Sequence, residues 1–267
     1  MPTSPSRNVN DLLSLRGKVA LITGATGHLG SAMADALAEA GASVVVSSRD
    51  PGRARDAASR LLRVGESRHL PLAMDHMDES SIEGGLDVAP RQAGRIDVLV
   101  NNGHEALGAD WKTVTGEQFR RQLANAAGYF LLARRFREHA VSRGGGGSVV
   151  MIGLMYGLVG SYPDAYEGIG AANPVAYQTL KGGILHMTRH LAVHWAPDGV
   201  RVNSLSPGPF PAESASPEMV ERLKGKSPMG RMGRPEELKG AIVFLASDAS
   251  SYMTGQNLVV DGGWTAW

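Results

Sequence analysis

The sequence predicts a single α/β domain in which a doubly wound parallel sheet carries helices on both faces. Three observations predict this fold class. Short apolar runs alternate with segments of helical periodicity, a glycine-rich turn joins the first run to the first helix, and small or polar residues follow the runs. Alternating strand–helix units form parallel sheets covered by helices, because each crossover returns the chain to the same edge.

The composition agrees with one globular domain, since the 267 residues are 43% hydrophobic and 20% charged. The net charge of +1, with acids and bases intermixed, does not indicate nucleic acid or an anionic membrane as a partner. The absence of cysteine excludes disulfides, thiolate metal sites and a cysteine nucleophile. No secretory leader or membrane span is visible, so we expect a cytoplasmic protein that acts on a small molecule.

The chain is expected to begin with a flexible tail, residues 1–16, followed by the single domain, residues 17–267. The first apolar run, 18–22, leads into a turn with glycines at three-residue intervals and then into a helix. Such a turn lets the backbone approach a pyrophosphate and directs a helix N-terminus at it. A tight turn without a ligand is the alternative. The predicted phosphate-binding residues are Gly24, Thr26, His28, Leu29 and Gly30.

The second strand, 43–47, ends at Ser48, Arg49 and Asp50. In dinucleotide sites an acid at this point holds the adenosine ribose, whereas an arginine suits a 2′-phosphate. Arg49 therefore favours NADP(H), and Asp50 leaves NAD(H) open. A solvent-exposed Arg49 that contacts no ligand is the alternative.

The remaining strands and helices complete the alternating pattern. Strands are predicted near residues 69–74, 95–100, 148–152, 201–205 and 257–260, and helices near residues 53–62, 80–93, 117–137, 177–195 and 235–246. Ligands of such a sheet bind beyond the carboxyl ends of the strands. Because Gly24, Arg49, Asn101, Gly153 and Pro207 all follow strands, the sequence predicts one site.

Tyr177 and Lys181 lie four residues apart on a predicted helix, so their side chains share one face. An ammonium close to a phenol favours the phenolate and lowers the pKa of the phenol. A phenol with a pKa nearer neutrality can exchange a proton with a reacting oxygen. An exposed helix face is the alternative for this pair taken alone.

The ordered motifs resemble the short-chain dehydrogenase/reductase family, in its short single-domain branch, over residues 17–264. The motifs that carry the resemblance are Thr23-Gly24…Gly30, Asp75, Asn101-Asn102, Asn125, Tyr177…Lys181, Asn203, Pro207-Gly208 and Thr254-Gly255-Gln256…Val260-Asp261-Gly262-Gly263. The resemblance implies a Rossmann-type sheet, a nicotinamide cofactor, and hydride transfer between that cofactor and an alcohol or carbonyl. It also implies a homo-oligomer, either a tetramer or a dimer.

The resemblance implies residue roles as well. Tyr177 would be the acid/base, Lys181 would lower its pKa and hold the nicotinamide ribose, and Asn125 would keep a water at a helix kink. The other cofactor-binding residues implied are Asp75, Asn101, Gly103, Pro207, Gly208 and Phe210. No metal is expected in the site.

The sequence departs from the family pattern at three positions. His28 replaces an expected glycine, and Gly103-His104 replace the usual Ala-Gly. Leu154 occupies the place of the serine that polarises the carbonyl, and leucine cannot donate a hydrogen bond. Losing such a donor typically costs about 10²–10³ in rate. Nearby candidates to replace it are Tyr156, Ser161 and Tyr162.

Two segments have open interpretations. The segment before Tyr177 is longer than the family spacing, and its extra part, 164–174, is either a substrate-contacting loop or a surface insertion. We expect Leu154, Tyr156 and Tyr166 to lie near the substrate. Residues 209–233 are either a lid that closes over substrate or an ordinary surface excursion.

Histidines recur every four residues at 186, 190 and 194. Imidazoles at this spacing can share a metal ion. At 100° per residue, however, His186 lies about 180° from Tyr177 around the helix, so the histidines are expected to face away from the site. The pattern therefore favours a subunit interface or a solvated face.

The leading hypothesis is an NADP(H)-preferring oxidoreductase that transfers a hydride between the cofactor and a secondary alcohol or ketone. Leu154 motivates an alternative from another class, a dinucleotide-binding scaffold or sensor with little or no turnover. A third hypothesis uses the cofactor and Tyr177 for isomerisation or elimination, without net cofactor consumption.

Overall fold

The structure, a computed structural model, describes residues 7–169 and 174–267. Within these residues seven parallel strands form one sheet in the order β3-β2-β1-β4-β5-β6-β7. The strands are β1 (Val19–Ile22), β2 (Ser43–Ser48), β3 (Leu70–Ala73), β4 (Val98–Asn101), β5 (Gly147–Ile152), β6 (Val200–Pro207) and β7 (Asn257–Val260). The helices are α1 (Val9–Leu13), α2 (His28–Glu39), α3 (Pro51–Arg60), α4 (Glu79–Ala93), α5 (Gly116–Ser142), α6 (Val175–Trp195), α7 (Pro217–Lys224) and α8 (Lys239–Ala246). The predicted fold class is confirmed.

The sheet separates two apolar cores, because alternate side chains of each strand face opposite sides. In β1, Val19 and Leu21 belong to the core that contains side chains of α4, α5 and α6. Ala20 and Ile22 belong to the core that contains side chains of α2 and α8. A strand buried on both faces needs apolar residues at consecutive positions, which explains the uninterrupted apolar runs in the sequence.

The direction of winding reverses between β1 and β4, which pair side by side. The chain continues from β1 to β2 and β3 on one side, and from β4 through β7 on the other. The loops that follow β1 and β4 therefore diverge and leave a crevice at the carboxyl ends of the strands.

The N-terminal segment differs from the predicted flexible tail. Val9–Leu13 form α1, and the side chain of Asn8 caps its first turn. Leu15 is fully buried in the core beside α2 and α8, and Arg7 pairs with Asp248 at 2.7 Å. Leu15 supplies the apolar anchor of this segment, so residues 7–16 pack on the domain. Residues 1–6 lie outside the described residues.

The two longest helices, α5 and α6, are polar on their outer faces rather than apolar all round. In the part of the chain that the structure describes, no helix combines the length and apolarity needed to cross a lipid bilayer.

Candidate active site

A cavity of about 620 Å³ lies at the carboxyl ends of the central strands, in the crevice beside β1 and β4. It extends from the loop after β2 to the N-terminal half of α6. The predicted site residues that line it are Gly24, Thr26, His28, Leu29, Gly30, Arg49, Gly103, Leu154, Tyr177, Lys181 and Pro207. Residues from six separate segments thus converge on one cavity.

Asp75 and Asn101 are predicted cofactor residues that do not line this cavity, because their side chains have other partners. The carboxylate of Asp75 accepts a hydrogen bond from the Met77 N–H at 2.9 Å. The amide of Asn101 is fully buried and donates to the Tyr129 carbonyl at 2.9 Å. Their neighbours line the cavity instead, as Met74 and His76 flank Asp75 and Asn102 follows Asn101.

Gly208 and Phe210 also lie outside the cavity wall. A Cβ on Gly208 would lie 2.4 Å from the Asp261 Cα, so this glycine permits a close backbone contact with the segment after β7. The Phe210 ring packs against Gly233 and borders a smaller neighbouring cavity. Within residues 207–210, Pro207 lines the main cavity.

The glycine-rich turn is held by the loop after β4. The Asn102 side-chain amide donates to the carbonyls of Thr23 and Gly24 at 3.0 and 3.1 Å. The Thr23 hydroxyl in turn accepts from the Gly103 N–H at 2.8 Å. A Cβ on Gly30 would lie 2.1 Å from the Gly24 carbonyl oxygen, so the turn closes this tightly only with glycine at position 30.

His28 occupies the first position of α2 and is exposed. Its N-cap, Gly27, has no side chain to bond the first backbone N–H groups of the helix. These groups carry the partial positive charge of the helix N-terminus and line the cavity with Leu29. Replacement of the expected glycine by His28 therefore leaves an anion-binding helix end in place.

Two arginines lie at the β2 end of the cavity. Arg49 Nη1 pairs with Glu105 Oε2 at 3.1 Å, and Glu105 also receives two hydrogen bonds from Arg121 at 2.6 and 2.9 Å. Arg53 donates to the Thr26 carbonyl at 3.3 Å and lines the cavity. The sequence-based prediction missed Arg53, although a second arginine in the first turn of the following helix is a visible signal.

The carboxylate of Asp50 caps α3 by accepting from the N–H groups of Gly52 and Arg53 at 2.8 and 3.0 Å. An aspartate in the N-cap position stabilises the helix start. Its side chain is therefore committed to the backbone, although the residue borders the cavity.

Tyr177 and Lys181 share one face of α6, with Lys181 Nζ 5.7 Å from the centre of the Tyr177 ring. Nζ donates to the Ile152 carbonyl at 2.8 Å. Burial lowers the pKa of Lys181 to about 7 and raises the pKa of Tyr177 to about 12. The expected lowering of the phenol's pKa by the ammonium is thus outweighed here by desolvation, which disfavours both charged forms.

Replacing Lys181 with methionine should stabilise the protein most at acidic pH. The folded pKa of about 7 lies below the ordinary value of 10.5, so burying the charge costs stability fully below pH ~7, and this cost declines as pH rises toward 10.5. We expect the gain in Tm over the native chain to be larger at pH 6 than at pH 9, by at least about 2–4 °C, which corresponds to ~1 kcal/mol.

Differential scanning fluorimetry without added cofactor tests this pH dependence, with Lys112→Met as an exposed control. The hydrogen bond from Lys181 to the Ile152 carbonyl is stronger when Lys181 is charged, so its loss reduces the gain at pH 6 and makes the comparison conservative. An equal gain in Tm at pH 6 and pH 9 would show that the charge on the buried Lys181 does not cost stability.

His104 lies against Tyr177, with ring centres 4.8 Å apart and planes tilted by 54°. Its Nε2 is 3.4 Å from the side-chain nitrogen of Gln122, a buried residue of α5. Burial and the neighbouring Lys181 lower the pKa of His104 to about 3, so the imidazole is neutral at ordinary pH. His104 is visible in the sequence as a departure from the family pattern, but its contact with Gln122 has no sequence signal.

Asn125 is fully buried within an uninterrupted α5 and does not line the cavity. Its Oδ1 accepts from the Glu105 N–H at 2.8 Å and lies 3.0 Å from His76 Nε2. Its Nδ2 donates to the carbonyls of Glu105 and Gln122 at 3.2 and 2.9 Å. The side chain thus holds the loop that carries His104 and Glu105, and the helix shows no break where the kink was expected.

Of the three predicted substrate residues, Leu154 alone lines the cavity. Tyr156 and Tyr166 are buried in a separate apolar cluster around Trp264, and their hydroxyls lie 2.9 Å apart. Their mutual contact explains why they face away from the cavity. Ser161, another candidate to replace the missing serine, accepts a hydrogen bond from the Gln178 side chain at 3.3 Å.

Residues 209–233 pack on the described part of the insertion. In α7, Leu223 is buried in the Trp264 cluster and Arg222 donates to the Glu167 carbonyl. Lys226, just beyond α7, pairs with Asp164. The candidate lid and the described part of the insertion therefore pack against each other, and neither lines the cavity, while residues 170–173 of the insertion lie outside the described residues.

The histidine stripe is exposed on α6, and the rings of His190 and His194 lie 4.5 Å apart. Over the described ranges, 7–169 and 174–267, no group of three or more potential ligands is arranged to hold a metal ion.

Comparison with known proteins agrees with this site. A family model described as enoyl-(acyl carrier protein) reductase matches residues 24–265. Cis-4-hydroxycyclohexanecarboxylate dehydrogenase from Sinomonas cyclohexanicum is 35% identical over 93% of this chain and 97% of its own length. A short-chain type dehydrogenase/reductase from Mycobacterium marinum is 36% identical, with a TM-score of 0.87 over 98% of this chain and 100% of that one.

A further solved structure, a gluconate 5-dehydrogenase from Burkholderia cenocepacia in complex with NADP and tartrate, is 28% identical. It has a TM-score of 0.83 over 97% of this chain and 100% of that chain. The present chain belongs to the short-chain dehydrogenase/reductase family. It is an NAD(P)-dependent oxidoreductase that acts on CH–OH groups. The alternative of a scaffold without turnover receives no support from these relatives.

Proposed function

We propose that this enzyme transfers a hydride reversibly between NADP(H) and a secondary alcohol or ketone, with Tyr177 exchanging the proton. The observation that carries the proposal is the single cavity with a glycine-rich turn at one end and Tyr177 and Lys181 at the other. The nicotinamide, when bound, supplies or accepts the hydride. Tyr177 gives a proton to the carbonyl oxygen in reduction and takes it back in oxidation.

The cavity fits a nicotinamide dinucleotide. Glycine at position 30 lets the turn close tightly against the start of α2, and the N-terminus of α2 favours the charge of a pyrophosphate. In this proposal Gly24, Thr26, Leu29 and Gly30 hold the pyrophosphate, while Lys181 and Pro207 lie at the nicotinamide end. Asn125 acts indirectly, because its amide fixes the loop that forms the cavity wall beside Tyr177.

Preference for NADP(H) is supported by charge at the β2 end. Arg49 and Arg53 both line the cavity, and the Asp50 carboxylate is committed to capping α3. A carboxylate held in this way is a poor partner for ribose hydroxyls, whereas two guanidinium groups suit a 2′-phosphate. We propose that Arg49 contacts that phosphate, and that it either breaks its ion pair with Glu105 or contacts both groups at once.

Arg49→Ala should raise the Kd for NADPH by about 10- to 30-fold and leave the Kd for NADH within about twofold. A hydrogen bond to a charged group contributes about 1.5–3 kcal/mol, and the exposure of Arg49 places it at the lower end. Fluorescence titration measures the Kd for each cofactor. The control is Arg55→Ala, which removes an exposed arginine of α3 outside the cavity wall. Equal losses for NADPH and NADH would contradict a role in phosphate recognition.

The substrate class that we propose is a hydroxy acid or polyol. Two of the similar proteins are named for hydroxy acids, gluconate in one and cis-4-hydroxycyclohexanecarboxylate in the other. We further propose a cytoplasmic homodimer or homotetramer, to which the exposed Val193 on α6 and Val141 on α5 would contribute apolar surface.

The proposal is tested by following NADPH and NADH at 340 nm with gluconate, cis-4-hydroxycyclohexanecarboxylate, sorbitol and their keto forms. We expect turnover with at least one of them, at higher kcat/KM with NADP(H). Conversion of a substrate without net change in the cofactor would favour isomerisation or elimination instead. Failure to bind either cofactor would overturn the proposal.

A further inference from the structure

Leu154 leaves the position of the family serine without a hydrogen-bond donor for a substrate's carbonyl oxygen. Leu154 lines the cavity at the place of the family serine and has no polar atom. Neither Tyr156 nor Ser161 lines the cavity, and each has a side-chain partner elsewhere. The Asn102 amide, which does line it, is committed to the carbonyls of Thr23 and Gly24.

His104 is a polar side chain on the same cavity wall as Tyr177. The two rings are in contact, with centres 4.8 Å apart. Groups on two adjacent rings can both hydrogen-bond to one substrate oxygen. Tyr177 would then be the proton donor and His104 a second hydrogen-bond donor. For this role the imidazole must carry a proton on the nitrogen that remains available to the cavity.

The contacts of Gln122 determine where that proton lies. The Gln122 Oε1 accepts a hydrogen bond from the Leu107 N–H at 3.0 Å, which fixes the orientation of its amide. The amide nitrogen therefore faces His104 Nε2, at 3.4 Å. A primary amide nitrogen donates and does not accept, so Nε2 of His104 accepts and the proton of the neutral ring lies on Nδ1.

We infer that the Nδ1–H of His104 donates the hydrogen bond to the substrate's carbonyl oxygen that Leu154 cannot provide. This inference rests on the proposed function. In the reduction, the hydride from the cofactor reaches the carbonyl carbon, the Tyr177 proton reaches the oxygen, and His104 keeps its own proton. A neutral imidazole can polarise a carbonyl in this manner.

The environment of His104 agrees with a neutral donor. Burial and the positive charge of Lys181 both lower its pKa, and they outweigh the opposite effect of Glu105. Among the described residues, the contact with Gln122 is the only side-chain hydrogen bond of the ring. The Nδ1–H is therefore available to a substrate oxygen.

Substitution and rescue test the inference. His104→Phe keeps a ring against Tyr177 and removes the donor, so kcat/KM for the best substrate of the panel should fall by about 10²–10³. His104→Gln, which retains an N–H donor, should lose less. Adding Leu154→Ser to His104→Phe restores a donor at position 154, and we expect recovery of at least about tenfold, a part of the loss.

A second measurement does not depend on activity. Long-range ¹H–¹⁵N spectra report directly which nitrogen of a histidine ring carries the proton. We expect His104 of the native protein to be neutral with the proton on Nδ1 at pH 6–8, and Gln122→Leu to remove this tautomer preference. A proton on Nε2, or a doubly protonated ring, would overturn the inference.

The outcomes separate the inference from the function on which it rests. Absence of cofactor-linked turnover by the native chain would overturn the proposed function and the inference with it. Turnover that is lost in Tyr177→Phe but kept in His104→Phe would overturn the inference alone. NADPH binding by each variant shows that it folds, and if His104→Phe fails to bind, His104→Leu with the same rescue replaces it.

Discussion

Replacing Tyr177 with phenylalanine should lower kcat by about 10²–10⁴, the usual contribution of a positioned general acid–base. The ring packs against the core that contains side chains of α4, α5 and α6, and phenylalanine preserves that packing. Cofactor affinity and thermal stability should therefore change little. Steady-state rates and NADPH titrations on the native chain and the variant measure both effects.

Tyr252→Phe is the matched control, because Tyr252 is fully exposed and outside the cavity wall. It should retain native rates. Retention of most of the activity in Tyr177→Phe would assign the proton transfer to another group, and His104 would then become the first residue to examine.

Replacing Gly30 with alanine should weaken NADPH binding by about 10- to 100-fold. The new Cβ would lie 2.1 Å from the Gly24 carbonyl oxygen and 2.7 Å from the Asn102 side-chain nitrogen, so the turn or α2 must shift. Such overpacking typically costs about 1–3 kcal/mol, which corresponds to this range of affinities if the strain is relieved by opening the turn. The turnover number at saturating cofactor should fall less than the affinity.

Gly240→Ala is the matched control, because it also replaces a helical glycine with alanine. A Cβ at Gly240 meets no atom within 4 Å, and this residue of α8 does not line the cavity. Alanine there should leave cofactor binding unchanged and stabilise the fold by up to about 0.5–1 kcal/mol. A native affinity in Gly30→Ala would show that the tight contact between the turn and α2 does not shape the cofactor site.

The sequence was sufficient to predict the sheet, because its strands are buried on both faces and so appear as uninterrupted apolar runs. The N-terminal helix was missed because a five-residue segment has no helical periodicity to detect, and its docking depends on the single buried Leu15. Which apolar residue of a polar segment is buried in the core depends on tertiary packing, which the local sequence does not show.

The cavity could be predicted in outline but not in its electrostatics. The spacing of Tyr177 and Lys181 predicts that they share a helix face, whereas the pKa of each group depends on how much water the folded chain excludes. In the same way, the contact of His104 with Gln122 joins residues 18 positions apart. Neither property has a periodic signature in the sequence.

The ion pair between Arg49 and Glu105 has a thermodynamic consequence. Glu105 is the residue next to His104, and Asn125 fixes the backbone of Glu105 on both its N–H and its carbonyl. An anion that draws Arg49 away from Glu105 at one end of the cavity therefore alters the free energy of the loop that presents His104 at the other end. Linkage is reciprocal, so occupancy beside His104 must alter the affinity for that anion by the same factor. The choice of cofactor and the affinity for substrate are thus coupled wherever substrate binding changes the Arg49–Glu105 pair.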